Sequence, residues 1–572
     1  MLAPLVILLA AICYYGSYIQ YWFNPHDEGG TAALIAMRML AGQAPIKDVE
    51  LGYNVGWFWP IVGLFKVAGV NFLVMRGYFF ALSTVAAICG WAIVRRTTTN
   101  EWLALGVGLL LVVFPGSQFK NYIPLMCLAN SLALIYVATA RSISGGAFLR
   151  GIVLGGFVLG ITLLIRIDIG FLCAIMWLGL IILRLFDVRF SFRERRNQFF
   201  AAIPILFATA LVIHVPAYAA AVSGGYSAEF ARQYGRWANL LQTEAQGLVA
   251  TQKPAAKKND APAIASRQAR KPGVKLDKTT LPRVTWTTFL TFESDKSALF
   301  VLTYVPVAIY ALLILWAAIG VIRSMLARTF TLDQKSMVAL LLLGGSLTTF
   351  AQFFFFRPDR PHLSEFMPGY LAAAVSTVWL LPITLRAIAG TVLAAQMALF
   401  GWFALDHYSA GTIAARTMVK KNKRMLFEGA NGVRVKVHQK TYEELELVRK
   451  TVTQHSKPGE WLVCYPYQPG YNVMTDRPTY ERKLYNDNAT ISRDWSGDTI
   501  ELLTEKKPPV IIIDDRAINQ VDGSRFSKWA APVYNHVKST YGLVGKVDTI
   551  EIYSLDTPPQ TDSSSEDQSK EQ

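Results

Sequence analysis

The chain has 572 residues, of which 52% are hydrophobic, with a mean hydropathy of +0.31 and a formal charge of +16 at pH 7. It is too apolar and too long to be one soluble domain. The positive charge does not point to nucleic acid: no recognition motif accompanies it, and much of it lies in short loops between apolar segments, where the positive-inside rule accounts for it.

Apolar segments close to the ~20 residues needed to cross a bilayer recur from the N-terminus to about Leu405. In chain order they are Leu2–Phe23, Val74–Val94, Trp102–Phe114, Tyr122–Ala140, Phe148–Ile165, Ile167–Leu185, Phe199–Val222, Ala298–Ile322, Met337–Phe356, Phe366–Leu385 and Ala387–Leu405, which predicts eleven spans. Met1 to Phe23 has no basic leader and no small-residue cleavage site, so it reads as a retained first span. With a cytoplasmic N-terminus, the inner loops hold Arg95 and Arg96, then Arg141 and Arg150, then Arg189, Arg193, Arg195 and Arg196, then Arg323, Arg328 and Lys335, then Arg386. All of these loops are basic, as the positive-inside rule requires. Leu51–Phe72 is also apolar, with Trp57, Phe58 and Trp59, but Pro60 and Lys66 interrupt it. As a span it would turn every basic loop outward, so it reads as an interfacial or re-entrant segment with its tryptophans at headgroup level.

Residues 1–405 thus form a transmembrane domain, with residues 24–73 as the first external loop and 223–297 as a long external loop. In the latter, Ala228 to Leu241 has helical spacing of Phe230, Tyr234, Trp237 and Leu241. The stretch 251–280 carries eight basic residues against two Asp and reads as a flexible basic linker, or as a landing strip for anionic lipid or glycan. From Asp406 the pattern changes. Val433–Val437, Trp461–Tyr465, Val510–Ile513 and Thr549–Ser554 read as strands, and Thr441–Thr453 and Phe526–Tyr541 as helices. Residues 406–556 are therefore an α/β domain, extracytoplasmic by the span count, and 557–572 a Ser- and acid-rich disordered tail. Its Tyr465-Pro466-Tyr467, Tyr471 and Trp495 either stack on sugars or fill the core. The five cysteines show no CxxC or metal-ligand spacing.

Span parity places three polar motifs on the external face. The first is His26-Asp27-Glu28, with Asp48 and Glu50 in the same loop. The second is Arg166-Ile167-Asp168-Ile169-Gly170, a sharp junction between two spans. The third is Arg357-Pro358-Asp359-Arg360-Pro361-His362. Carboxylates and arginines gathered on one face suit glycosyl transfer. A hydroxyl acceptor needs a carboxylate base in hydrogen-bond reach, and a departing phosphate needs cationic donors where its charge develops. Lys120 and Tyr122 face the same way, as phosphate or acceptor contacts or as interfacial anchors. Plainer roles stand beside these. Asp27 and Glu28 suit the N-terminus of the following helix, Arg166 and Asp168 suit an ion pair closing a turn, and the third motif suits an anchor at span ends.

His26-Asp27-Glu28-Gly29, then Ala41-Gly42-Gln43-Ala44-Pro45-Ile46-Lys47-Asp48, then Gly52-Tyr53-Asn54-Val55-Gly56 resemble the first external loop of the GT-C class of membrane glycosyltransferases. The likeness is to the protein mannosyltransferases and lipid A aminoarabinose transferases grouped as family 39. The Arg166 and Arg357 motifs are similar to those of bacterial members. The Gly29-Gly30 pair departs from the pattern, where others often carry a bulky residue. The resemblance implies a lipid-phosphate sugar donor, inversion, and Asp27 as general base, with Glu28 as supporting acid and Asp48 as an acceptor or outer contact.

The sequence therefore predicts a polytopic α-helical membrane protein, GT-C-like with about eleven spans and a C-terminal extracytoplasmic α/β domain, in a cell or inner membrane. It would move one sugar, a hexose or pentose, from a polyprenyl-phosphate donor to a glycan, lipid or protein acceptor. Arg357, Arg360, Arg166, Lys120 and His362 would hold the donor phosphate, and Asp48, Asp168, Asp359, Tyr53 and Tyr122 would contact the acceptor or support the site. The lipid-linked sugar is a co-substrate; no cofactor and no divalent metal are expected. Two other classes compete: an O-antigen ligase or polymerase using a lipid-pyrophosphate donor, and a transporter or flippase, which would show inverted repeats and mid-membrane charges.

Overall fold

The computed structural model describes residues 2–17, 19–20, 28–114, 121–139, 145–231, 294–351, 360–407, 424–466, 468–486, 494–517 and 522–559. The helices up to residue 407 are α1 (Leu2–Gly16), α2 (Glu28–Leu40), α3 (Val55–Ala68), α4 (Phe72–Thr98), α5 (Glu101–Val113), α6 (Tyr122–Ala138), α7 (Gly145–Ile165), α8 (Ile167–Arg184), α9 (Phe192–Ser223), α10 (Ser294–Leu326), α11 (Lys335–Ala351), α12 (Arg360–Leu380) and α13 (Ile383–His407). A helix satisfies its own backbone and so suits lipid. Within the described residues, each apolar segment read as a span is mostly helical, and the last two part at Leu381-Pro382. Among the described residues five are long and apolar enough to cross a membrane by themselves: Phe72–Thr98, Gly146–Ile165, Ile167–Arg184, Phe192–Ser223 and Tyr304–Leu326. The first segment is shorter than its apolar run suggests, a 15-residue helix ending at Gly16. α3 has 14 residues, about 21 Å at 1.5 Å per residue. That is short of the ~30 Å hydrocarbon core. The reading of Ala228–Leu241 as a helix is met only over its start, since residues beyond 231 lie outside the described part, as do the linker 251–280 and most of the tail.

The chain divides into two compact units. The first comprises Met1–Tyr18, Gly52–Trp57 and Gly77–Ala415. In its core, α6, α7, α8 and α9 pack around Leu134, Leu159, Trp177 and Leu206, and α10 to α13 pack around Tyr310, Phe366 and Tyr370. The α7–α9 approach is set by Gly156 and Gly160, four residues apart on one face. A Cβ on Gly156 would lie 2.7 Å from the Leu206 carbonyl oxygen, and one on Gly160 would lie 2.7 Å from that of Ala210. Small residues four apart let membrane helices meet backbone to backbone. α9 begins earlier than its apolar run because Ser191 and Glu194 form a capping box.

The second unit comprises Ile19–Leu51, Phe58–Arg76 and Arg416–Gln572. The sequence places residues 24–73 as a loop of the transmembrane part; the structure groups most of that loop with the C-terminal residues. The latter form β1 (Arg424–Glu428), β2 (Arg434–His438), α14 (Gln439–His455), β3 (Leu462–Tyr465), α15 (Pro469–Thr475), α16 (Trp495–Lys506), β4 (Val510–Asp514), α17 (Phe526–Trp529), α18 (Ala531–Thr540), β5 (Gly542–Val547) and β6 (Ile550–Ser554). A four-stranded sheet runs β3-β4-β6-β5, with β3 and β4 parallel and the other pairs antiparallel. The parallel pair needs a long crossover, which α15 and α16 occupy. β1 and β2 form a separate hairpin whose turn places Asn431 and Gly432 at φ +55° and +64°, the left-handed geometry an Asn-Gly turn adopts readily. Tyr465 and Tyr471 are fully buried and Trp495 nearly so, and Tyr465 and Trp495 lie in the sheet core. These aromatics are core residues, not exposed platforms for sugars; Tyr467 lies outside the described residues.

Candidate functional site

In the first unit, Arg166 occupies a one-residue break between α7 and α8. Its backbone is extended, at φ −145° and ψ 107°, so that one straight run of apolar residues becomes two helices. Its amide donates to the Thr162 carbonyl at 2.7 Å and its own carbonyl accepts from the Gly170 amide at 3.0 Å. The guanidinium is 4% exposed and donates to both oxygens of Asp168, Nε to Oδ1 at 2.8 Å and Nη2 to Oδ2 at 2.5 Å. This is the two-pronged geometry that makes arginine–carboxylate pairs directional. Asp168 stands in the first turn of α8, where a helix N-terminus favours negative charge. The ion-pair reading of these residues is met. It also leaves a buried cation held in one orientation at the ends of membrane helices, where ionisable groups are costly and functional by default.

A stack of aromatic rings extends from this cation. The Arg166 guanidinium carbon lies 5.6 Å from the centre of the Tyr53 ring. Tyr53 lies on Trp57 with centroids 3.9 Å apart and planes 13° from parallel, and Trp57 meets Tyr122 at 4.9 Å. The Tyr122 hydroxyl donates to the Trp57 carbonyl at 3.0 Å and is 2.8 Å from the Tyr78 hydroxyl. Asn54 donates to the Leu163 carbonyl at 3.1 Å. Gly56 is glycine because a Cβ there would sit 2.7 Å from the Leu164 carbonyl oxygen. The stretch Gly52–Trp57 is thus bound to the end of α7 at both sides of the stack. Trp57 is 1% exposed. It is buried within this stack.

Glu365 of α12 is 3% exposed and is among the charges that act on Arg166, together with Asp168. It escaped the sequence reading, although it is the sole acid in α12, and a carboxylate within an apolar helix was the available signal. The structure therefore gathers Arg166, Asp168, Tyr53 and Tyr122, and adds Glu365, Trp57 and Tyr78. Asp27, Lys120, Arg357 and Asp359 lie outside the described residues. Glu28, Arg360 and His362 are placed in helix first turns, but their side chains lie outside the described part.

Asp48 belongs to the second unit. It is exposed and closes a turn, its Oδ2 accepting from the Ala44 amide at 2.7 Å. The same turn helps hold Arg38, at the end of α2 and 6% exposed. Arg38 donates Nη2 to the Asp48 carbonyl at 3.0 Å, Nε to Gln43 Oε1 at 2.5 Å, and Nη1 to the Glu481 carbonyl. The Glu481 carboxylate accepts from the Tyr465 hydroxyl at 2.7 Å. Burial lowers Arg38 to about 10 against the raising effect of Asp48 and Glu481, and burial raises Glu481 above the usual carboxylate range against Tyr465 and Arg38. Backbone bonds complete the clasp: Glu50 N to Arg482 O at 2.7 Å, Phe72 N to Asn431 O at 2.8 Å and Lys436 N to Gln20 O at 2.5 Å. At the other end of α2, Gly30 lies against Gly470 of α15, where a Cβ would come within 2.8 Å of Gly470 Cα and N. Gly30, half of the pair that departs from the family pattern, is there because two backbones touch.

Among solved structures, the chain is similar to ArnT from Cupriavidus metallidurans bound to undecaprenyl phosphate, with a TM-score of 0.50 and 12% identity over 97% of each chain. It is also similar to the same protein in its apo state, with a TM-score of 0.51 and 11% identity, again over 97% of each chain. No protein-family model and no curated protein matches the sequence. The likeness extends over both units and shows the fold, that of ArnT.

Proposed function

We propose that this chain, a membrane protein with the fold of ArnT, is a glycosyltransferase that moves a single sugar from a polyprenyl-phosphate donor to a glycan, lipid or protein acceptor outside the cytoplasm. The observation that carries the reading is the Arg166 cluster: a buried, oriented guanidinium at the junction of two membrane helices, in a fold shared with a protein crystallised with undecaprenyl phosphate. A sugar phosphate needs fixed cations where negative charge grows on the leaving oxygen.

In this reaction Asp27 takes the proton of the acceptor hydroxyl. The oxygen attacks the anomeric carbon from the face opposite the carrier, the bond from that carbon to the phosphate oxygen breaks, and the lipid phosphate leaves with the electron pair. The configuration inverts. Glu28 supports the base. Arg357, Arg360, Arg166, Lys120 and His362 hold the phosphate, while Asp168 and Glu365 orient Arg166. Tyr53 and Tyr122 act through the aromatic stack, and Asp48 and Asp359 border the acceptor side. The phosphate is already a good leaving group, so the step asks for a base and cations rather than a strong acid.

The test is a variant series in purified protein reconstituted in lipid and offered the donor that wild type consumes. Asp27→Asn should lower turnover by about 10² or more, the range for loss of a general base. Glu365→Gln should weaken donor use without changing the response to acceptor concentration. If Asp27→Asn and Glu28→Gln both keep wild-type turnover, the first-loop carboxylates only cap α2 and the assignment fails.

A further inference from the structure

The α4, α6 and α7 helices that frame the Arg166 cluster meet again at their other ends. Tyr136 lies fourteen residues along α6 from Tyr122, about 21 Å at 1.5 Å per residue. There the three helices leave a cleft of ≈ 1210 Å³. Among the described residues its lining includes Arg95, Arg96 and Arg150 and no acidic side chain. Two of the three arginines lie against aromatic rings. The Arg95 guanidinium is 5.3 Å from the Trp91 ring centre, and that of Arg96 is 5.2 Å from Tyr136. Arg96 is further oriented through Thr139, donating Nε to its hydroxyl at 2.7 Å and Nη2 to its carbonyl at 3.2 Å. Arg95 pairs with Glu101 at 2.6 Å, both side chains about half exposed, and a pair in that setting contributes little. The wall between the arginines is apolar, with Ala92, Leu132 and Leu154.

We propose that this cleft binds the phosphate headgroup of an anionic membrane lipid, with the first part of its acyl chain along the apolar wall. A free phosphate would need far less room, and it would gain nothing from Leu132 and Leu154. Guanidinium groups suit phosphate because they are weakly hydrated and present paired donors, and basic pockets between membrane helices on the positive-inside face take anionic headgroups. Arg96 and Arg150 make the principal contacts. Arg95 shares its charge with Glu101.

The experiment uses the full chain in nanodiscs of phosphatidylcholine with and without phosphatidylglycerol. Unfolding is followed by tryptophan fluorescence, and retained lipid by native mass spectrometry. Wild type should melt higher with phosphatidylglycerol and should keep it through extraction. Arg96→Gln and Arg150→Gln should each weaken that preference about fivefold in apparent affinity, from the contribution of one basic residue at an anionic surface. Arg150 is exposed, so its variant folds even if Arg96→Gln does not. Arg193→Gln, an exposed arginine of α9 outside the cleft, should behave as wild type. Three results would overturn the proposal: equal melting in both lipids, the same stabilisation from inorganic phosphate, or an equal loss in Arg193→Gln.

Discussion

Replacing Gly30 with alanine tests the clasp in the second unit, and the outcome has a sign. In an unconstrained helix interior alanine is better than glycine by about 0.8–1.0 kcal/mol. At Gly30 the new methyl would stand 2.8 Å from both Cα and N of Gly470, against an ordinary carbon contact of about 3.5–4.0 Å. Two backbones must therefore separate by roughly 0.7 Å or more to reach that distance. No rotamer change relieves the clash, because both neighbours are backbone. Overpacking of this kind costs about 1–3 kcal/mol, so the propensity gain is cancelled or outweighed. Gly63, in α3 of the same unit, has nothing within 4 Å of its missing Cβ, so Gly63→Ala should gain the full propensity term. The assay is thermal unfolding of the full chain in lipid, with sugar transfer measured beside it. Gly30→Ala should melt below wild type and lose transfer, because α2 begins at Glu28 and moves with Gly30. Gly63→Ala should melt at or above wild type and keep transfer. If Gly30→Ala is as stable as Gly63→Ala, the close approach of α2 to α15 is wrong.

Other outcomes follow from the same structure. Arg166→Lys keeps the charge but loses the paired donors to Asp168, so donor turnover should fall roughly tenfold or more, the effect of losing a hydrogen bond between charged groups; a variant as active as wild type refutes the role. Gly156→Val puts a branched side chain where a Cβ already meets the Leu206 carbonyl oxygen at 2.7 Å, and should destabilise α7 against α9 by at least about 2 kcal/mol, read as loss of folded protein after extraction. Glu481 has its carboxyl raised in the folded state, chiefly by burial. Its contribution is therefore complete below the unfolded carboxylate range and is lost as pH rises through the raised folded value. Glu481→Gln should flatten that part of the stability–pH curve, and an unchanged slope would mean that another group sets it.

Much of the membrane part was legible because lipid offers the backbone no partners: apolar length alone marks a helix. The start of α9 was missed because the apolar run stops at Arg193–Arg196, although Ser191 and Glu194 carried the capping signal. β1 was missed although Asn431-Gly432 marks a hairpin turn after it. Of the site, the Arg166–Asp168 pair was visible because it is local. The stack of Tyr53, Trp57 and Tyr122 was not legible, because Tyr122 stands 65 positions from Trp57. The clasp was not legible at all: Arg38 and Glu481 are 443 positions apart, and no local pattern pairs them.

The central claim is that this chain releases a lipid phosphate by transferring one sugar. Purified protein in lipid, offered polyprenyl-phosphate monosaccharides one at a time, tests it most directly, with free polyprenyl phosphate and the glycosylated acceptor measured together. The account predicts that one donor is consumed, that both products appear in equal amounts, and that Asp27→Asn stops both. Release of a pyrophosphate carrier, or product formation that Asp27→Asn leaves intact, would contradict it.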